Sequence, residues 1–209
     1  MNASHSLPAY YDNLELSFEE AWGLVAAGVT KRHSPAHMPT VGTVDASSSP
    51  QLRIMVLRDV SRAARTLRFH TDSRSTKAEH ICQNPASSVL IYDHVAKIQI
   101  RLSGNAQLVP DGELANNAWS ASTPFARRCY MAEAAPGAPL AQPSSGLPEW
   151  IEGKQPEEAQ LVDYRANFTA LLVDIDTIEW LYLANVGHRR ARWRWDAANN
   201  SWAGCWLVP

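Results

Sequence analysis

The chain has 209 residues, 45% of them hydrophobic, and a formal net charge of −2 at pH 7. This length and apolar content predict a single domain over residues 1–209 with a sizeable core. The near-neutral charge argues against general attraction to nucleic acid or to an anionic membrane. Three widely spaced cysteines without a Cys-x-x-Cys pair are typical of reduced cytosolic thiols, and argue against a disulfide framework or a zinc site.

The first residues contain no basic stretch followed by an apolar run, so the sequence does not predict a signal peptide. No apolar segment approaches the about 20 residues that are needed to cross a bilayer. We therefore expect a soluble, cytoplasmic protein without a membrane partner.

The N-terminal region, residues 1–35, is predicted to be an irregular lead-in followed by a helix with Ser17 as its N-cap. Two histidines four residues apart follow, His33 and His37. Pro35 lies between them and breaks any helix that would place both on one metal. Exposed linker histidines are therefore favoured, and no metal site is predicted.

Alternation of apolar and polar residues predicts strands along most of the remaining chain. The clearest strand covers 97–109, where Gly104 interrupts the apolar row, as expected at a bulge. The other strands are predicted over 41–44, 52–58, 66–71, 87–92, 170–183 with a turn near 174–176, 190–195 and 202–208. Helices are predicted over 74–83, 113–120 and 157–167.

Many short strands with helices at the edges predict a mainly β (α+β) fold, an antiparallel barrel with peripheral helices. Neither a G-x-G-x-x-G nor a phosphate-loop motif occurs, which argues against a Rossmann-type or phosphate-loop nucleotide site. Residues 131–156 are rich in proline and glycine and lack periodicity, so they are predicted to be a long loop. Loops of that length are usually functional or disordered.

A polar loop follows the 66–71 strand and offers two cations and three hydroxyls: Ser73, Arg74, Ser75, Thr76 and Lys77. Charge-assisted donors beside a helix N-terminus suit a phosphate monoester. The alternative is a polar turn with an N-cap serine.

Two arginines, Arg53 and Arg58, lie in an otherwise apolar strand. Their odd separation predicts opposite faces, so one of them approaches an interior or an interface, where a cation requires an anion. The anion is either a ligand or an internal partner such as Asp59 or Asp93.

The C-terminal strand alternates basic and apolar residues. Arg190, Arg192 and Arg194 share one face, and Ala191, Trp193 and Trp195 share the other. Because cations and aromatics point apart, they do not form one stacking groove for single-stranded nucleic acid. Tryptophans packed in a core or a subunit interface are favoured, and His70 and His80 are read as structural.

Several segments, in this order, resemble the FMN-binding split barrel of the pyridoxamine 5′-phosphate oxidase family: Arg53–Arg58, Phe69–Thr71, Ser73–Lys77, Asn84–Pro85, Gln99–Gly104 and Arg189–Trp195. The resemblance covers roughly 36–109 and 168–209 and points to the oxidase-related branch of the family. It implies a split barrel, a homodimer with FMN at the subunit interface, a small-molecule substrate and no nucleic-acid partner.

The resemblance also implies which residues surround FMN. They are the strand residues Arg53, Ile54, Met55, Val56, Leu57 and Arg58, with Arg53 reaching the phosphate. They further include His70, Thr71, Arg74, Ser75, Thr76, Lys77, Gln99 and Arg192, and less directly Gln142 and Ser144.

The half of the family pattern that binds substrate is largely lost. Arg58 stands where the family oxidase has a lysine, and the oxidase's residues for the substrate phosphate fall near Trp119, Thr123 and Arg127. The C-terminal Arg-x-His falls at 188–190, and the flavin-side tryptophan falls near Leu181, or at Trp180 if the alignment shifts.

We therefore expect an FMN-dependent oxidoreductase that passes a hydride through FMN, with no catalytic residue assigned. True pyridoxamine/pyridoxine 5′-phosphate oxidase activity and a non-catalytic flavin-binding protein are the alternatives. A nucleic-acid binder that uses the C-terminal arginines is a third class, which the net charge disfavours.

Overall fold

A computed structural model describes residues 7–209, so the first six residues of the predicted lead-in lie outside the described part. Nine antiparallel strands form one sheet that makes a split β-barrel, as predicted. They are β1 Thr40–Val44, β2 Pro50–Ile54, β3 Asp59–Ser61, β4 Thr66–Asp72, β5 Ala86–Asp93, β6 Ile98–Val109, β7 Phe168–Tyr182, β8 Arg189–Asp196 and β9 Ser201–Leu207. The strand order is β2-β1-β5-β6-β7-β4-β3, and β8 pairs with β7 and β9.

Helices surround this sheet. They are α1 Leu14–Thr30, α2 Thr76–Gln83, α3 Gly112–Ser120, α4 Pro124–Arg127 and α5 Glu158–Leu161. Short 3₁₀ turns cover Pro35–His37, Arg128–Met131 and Val162–Asn167. The predicted 157–167 helix is thus α5 plus a 3₁₀ turn. No helix between residues 7 and 209 is long and apolar enough to cross a membrane.

Helix α1 begins earlier than predicted. Its N-cap is Asn13, whose side chain accepts a hydrogen bond of 2.9 Å from the backbone N–H of Leu16. Ser17 lies inside the helix and is buried, and its hydroxyl donates to the carbonyl oxygens of Tyr10 and Asn13. The prediction of Ser17 as the N-cap was wrong, because a serine within a helix can bond back to the preceding turn.

Strand β2 is shorter than predicted. It ends at Ile54, and the backbone N–H groups of Met55 and Leu57 donate instead to the carbonyls of Pro39 and His37. The segment 55–57 therefore runs beside residues 37–39 and not within the sheet. The alternation of faces assumed for Arg53 and Arg58 does not hold across this break.

A β-bulge interrupts the pairing of β6 with β7 at Gly104, where the sequence predicted a bulge. The register shifts between Ser103 and Gly104 and leaves Asp176 of β7 without a partner. A Cβ at Gly104 would lie 1.8 Å from the carbonyl oxygen of Asp174, so only glycine fits. The predicted turn near 174–176 was wrong, because the chain absorbs the extra residue as a bulge within one strand.

Two apolar clusters lie around the sheet. The larger one packs α1 against the barrel and includes Trp22, Phe69, Ile100 and Trp180. The smaller one packs α3 and the turn after α4 against the start of β7. In β8 the buried Ala191 and Trp193 alternate with more exposed arginines, as predicted.

Candidate functional site

A cleft of about 470 Å³ lies between the 53–58 segment, β4, the start of α2 and the turns after α3. This volume is in the range of small-molecule sites. It is lined by Arg53, Ile54, Met55, Val56, Arg58, His70, Thr71, Asp72, Lys77, Ala126, Cys129, Tyr130 and Pro136. The structure thus brings together eight of the residues that the sequence predicted to surround FMN.

Two half-buried cations face the cleft. Arg53 donates from Nη1 to Oγ1 of Thr43 at 2.8 Å and to the carbonyl oxygen of Val41 at 3.2 Å. Lys77 donates from Nζ to Oγ1 of Thr71 at 3.1 Å. Burial lowers the pKa of Arg53, and burial together with the charge of Arg53 lowers the pKa of Lys77.

Neither cation forms a salt bridge with a carboxylate between residues 7 and 209. Partly desolvated cations that share a cleft repel one another, and an anion that binds between them offsets this cost. Their donors suit a phosphate, which accepts several charge-assisted hydrogen bonds at once.

Arg58 lies exposed at the mouth of the same cleft. The prediction that Arg53 and Arg58 lie on opposite sides was therefore wrong, because β2 ends between them. The predicted alternative, an ion pair with Asp59, is not formed, since Asp59 pairs with Arg68 at 3.5 Å. Asp93 instead caps its own turn by accepting from the backbone N–H groups of Val95 and Ala96.

His70 contributes a neutral imidazole to the cleft. Burial, followed by the charges of Arg58 and Arg68, lowers the pKa of His70 to about 3. Its ring packs edge-on against Phe168 at 4.9 Å between ring centres. Nε2 is buried and has no hydrogen-bond partner among the described residues.

The residues of the loop after β4 have two different roles. Only Lys77 of its five predicted residues lines the cleft. Arg74 pairs with Asp72 and donates to the carbonyl oxygen of Ala132. Ser75 is buried and donates from Oγ to the carbonyl oxygen of Asp72 at 2.7 Å, and Thr76 is exposed. The structure therefore does not bring Arg74, Ser75 and Thr76 to the cleft.

Three other predicted residues lie elsewhere in the chain. Leu57 is 1% exposed and belongs to the larger core. Gln99 of β6 and Arg192 of β8 lie on the outer face of the sheet, on either side of β7. They do not line the cleft of their own chain.

That outer face carries an apolar patch of four exposed side chains: Leu52, Ile54, Leu90 and Tyr92. It continues into an ion network in which Glu179 accepts from Arg101 and Arg190, each at 2.7 Å. Because Ile54 also lines the cleft, the cleft opens onto the edge of this face.

Three residues match the positions at which the family oxidase binds its substrate, and in this structure all three make other contacts. Trp119 packs in the smaller core, and Thr123 caps α4 through the N–H of Ala126 at 3.2 Å. Arg127 is buried, pairs with Glu158 and lies 5.1 Å over the ring of Trp119. None of the three lines the cleft.

The less direct predictions also lie away from the cleft. Gln142 and Ser144 are exposed in the segment before α5. Trp180 is fully buried in the core, whereas Leu181 is half-exposed on the outer face. The alignment shifted to Trp180 therefore brings a side chain of the core into register.

Sequence reasoning missed the second wall of the cleft. Ala126, Cys129, Tyr130 and Pro136 come from the region after α3 and show no motif spacing. Tyr130 packs against Trp119 and Phe168, and burial raises its pKa. This region forms short turns, which have no periodic pattern of apolar residues. The sequence therefore gave no indication of this wall.

Comparison with known proteins identifies an FMN-binding domain in this chain. Residues 19–110 match the family model "Pyridoxamine 5'-phosphate oxidase, FMN-binding domain". A pyridoxine/pyridoxamine 5′-phosphate oxidase of Caulobacter vibrioides is 31% identical over 103 residues, which is 47% of this chain and 45% of that protein. The corresponding protein of Teredinibacter turnerae is 32% identical over 113 residues, 54% of this chain and 49% of that protein. The chain spans about half the length of the curated relatives it matches.

Solved structures extend the fold similarity to the whole chain. A pyridoxamine 5′-phosphate oxidase-related, FMN-binding protein of Nostoc punctiforme has a TM-score of 0.71 at 22% identity and covers 98% of this chain and 100% of its own. PhzG of Burkholderia lata, solved with tetrahydrophenazine-1-carboxylic acid, has a TM-score of 0.67 at 17% identity, with 100% of both chains covered.

The fold and the cleft define an FMN-binding split-barrel flavoprotein. Residues 19–110 thus match the FMN-binding domain of the pyridoxamine 5′-phosphate oxidase family, and this match supports FMN as the cofactor. The residues present fit that group, since within residues 7–209 Arg53 and Lys77 form no salt bridge and suit a phosphate, and buried Nε2 of His70 lacks a hydrogen-bond partner.

Proposed function

We propose that this protein is an FMN-dependent oxidoreductase that takes a hydride from an organic donor or a reduced nicotinamide and passes electrons to dioxygen or another acceptor. FMN, when bound, supplies the hydride chemistry. The observation that carries the proposal is the pair of half-buried cations Arg53 and Lys77, which form no salt bridge among the described residues, in a cleft of cofactor size.

The side chains of the cleft have distinct tasks in this proposal. Arg53 and Lys77 hold the phosphate, with Thr71 orienting the ammonium group through its 3.1 Å hydrogen bond. Met55, Val56 and Tyr130 supply apolar walls that exclude water from the cofactor. His70 is neutral at physiological pH, so it orients a ligand by hydrogen bonding and does not donate a proton as an acid.

The active unit in this proposal is a homodimer with FMN at the subunit interface. Gln99 and Arg192 do not reach the cleft of their own chain, and they share the outer face with the exposed Leu52 and Leu90. Pairing two such faces would bury the apolar patch and bring Gln99 and Arg192 to the cleft of the partner.

True pyridoxamine 5′-phosphate oxidase activity is the second candidate, favoured by the names of the curated relatives. The local structure argues against it, since Arg127 is committed to Glu158 and Thr123 to a helix cap. Arg58 is the remaining unpaired cation for an anionic substrate group on this side of the cleft, within the described residues.

The test is the visible spectrum of the purified protein, with analysis of the flavin released by heat. We expect stoichiometric FMN that is reduced and reoxidised in repeated cycles when a donor and dioxygen are supplied. A protein that neither contains nor binds FMN would overturn the proposal, and bound FMN that cannot cycle would favour a non-catalytic flavin protein. Hydrogen peroxide formed on adding pyridoxamine 5′-phosphate would instead favour the second candidate.

A further inference from the structure

Arg74 joins the two walls of the cleft. Its guanidinium donates to both carboxylate oxygens of Asp72, from Nε at 3.0 Å and from Nη2 at 2.8 Å. It also reaches across to the carbonyl oxygen of Ala132, with Nη1 and Nη2 each at 3.0 Å. Asp72 ends β4 on the first wall, and Ala132 follows directly on Tyr130 and Met131 of the second wall.

A second contact runs parallel to the first. The backbone N–H of Ser73 donates to the carbonyl oxygen of Asn167 at 2.8 Å, and the side-chain amide of Asn167 donates to the carbonyl oxygen of Tyr130 at 2.8 Å. Tyr130 is thus held by two contacts. Asn167 binds the carbonyl oxygen of Tyr130 itself, and Arg74 binds the carbonyl oxygen of Ala132, two residues later. Both links begin in the loop that directly follows β4.

The Arg74 guanidinium also neutralises the negative charge of Asp72. The Asp72 side chain is only 6% exposed and lines the cleft, where an uncompensated carboxylate would repel a phosphate. The pairing with Arg74 is bidentate, the geometry in which arginine binds carboxylates most strongly. It leaves Lys77 as the cation of this loop that is available to an anion.

We propose that Arg74 is a positioning residue that fastens the Cys129–Pro136 wall to β4, neutralises Asp72, and so controls solvent access to the bound cofactor. This rests on the proposed FMN function but replaces the role predicted for Arg74, since its guanidinium binds Asp72 and Ala132 and does not line the cleft. The Cys129–Pro136 wall and the cations that bind the phosphate, Arg53 and Lys77, are then separate parts of one site. Mutations can therefore change one part without changing the other.

The experiment compares D72N with the double variant D72N/R74A, which share a neutral residue 72 and differ only at Arg74. The dissociation constants of FMN and riboflavin are measured for both, together with acrylamide quenching of the bound flavin. R53A calibrates the assay, because loss of a phosphate contact lowers the preference for FMN over riboflavin by about ten- to a hundredfold. Circular dichroism checks that each variant is folded.

We expect the double variant to bind FMN and riboflavin more weakly than D72N by the same factor, with more efficient quenching. A selective loss of FMN affinity would overturn the proposal, because Arg74 would then contact the phosphate. Unchanged affinities and quenching would overturn it as well. If R53A retains the wild-type preference for FMN, the phosphate placement fails instead, and quenching of bound riboflavin still tests the wall.

Discussion

Lys77 donates a hydrogen bond from Nζ to Oγ1 of Thr71, six residues earlier, and so ties the first turn of α2 to the end of β4. This contact aims an ammonium group into the cleft beside Arg53 without neutralising it. A neutral hydroxyl orients the cation, and its charge stays available to a ligand.

Replacing Lys77 or Arg53 by alanine should weaken FMN binding, because each change removes a charge-assisted contact worth roughly 1.5–3 kcal/mol. Fluorescence titration of the apoprotein with FMN measures the loss. The exposed residues Lys31 and Arg32 provide matched controls as K31A and R32A. Wild-type affinity in both K77A and R53A would show that the phosphate lies elsewhere.

The dimer can be tested by mixing variants. R53A removes a residue of the cleft, whereas R192A removes a residue from the outer face, so each homodimer should lack tight FMN binding. Random subunit exchange should restore one intact site in each mixed dimer, about a quarter of all sites. Flavin content after mixing is the measurement, and no recovery would mean that both arginines act within one subunit or that Arg192 is not needed.

The outer face gives an independent test of association. Changing Leu52, which is 71% exposed, to lysine should disfavour the dimer, because it places like charges in an apolar contact. V162K introduces the same charge at a side chain that is 67% exposed in the 3₁₀ turn after α5. Sedimentation should detect monomers for L52K alone, whereas equal behaviour of both variants would argue against this interface.

His70 should make the apoprotein sensitive to acid. Its pKa falls from 6.5 to about 3 on folding, so the unfolded chain binds the proton more readily between these values. Stability should therefore decline as the pH falls from about 6.5 towards 3. H70Q should flatten this part of the profile of melting temperature against pH, and an unchanged slope would assign the acid sensitivity to other groups.

Gly104 should be intolerant of any side chain. G104A would place a Cβ 1.8 Å from the carbonyl oxygen of Asp174, so the bulge must shift, at a cost of about 1–3 kcal/mol or more. G23A is the control, since nothing lies within 4 Å of that position in α1. There alanine should raise stability by about 0.5–1 kcal/mol, so urea denaturation should give opposite signs.

The strands of the barrel were largely predictable because their pattern is local. Alternation along β6 reports which side chains enter the core, and the structure buries Ile98, Ile100 and Leu102 accordingly. The break in β2 was not predictable in this way. Residues 55–57 are apolar like a strand, but the backbone N–H groups of Met55 and Leu57 donate to Pro39 and His37, which no local pattern encodes.

The same distinction between local pattern and long-range contact applies to the candidate site. The residues that follow one another in the sequence, such as Arg53 to Val56 and His70 to Thr71, were predicted together and lie together in the cleft. The role of Arg74 was not predictable, because it depends on a carbonyl 58 residues away. The opposite wall likewise comes from residues with no periodic signal.

The sequence by itself determined the β-rich class and the cations offered to a phosphate, because these depend on short-range alternation and on charged side chains next to strand ends, whereas FMN was implied by the resemblance to a known family. Only the tertiary structure decided that Arg53 and Arg58 share a cleft, that Arg74 binds the opposite wall, and that Gln99 and Arg192 face outward. Those relationships follow from long-range packing of a sheet whose strand order differs from the chain order, and such packing leaves no trace in neighbouring residues.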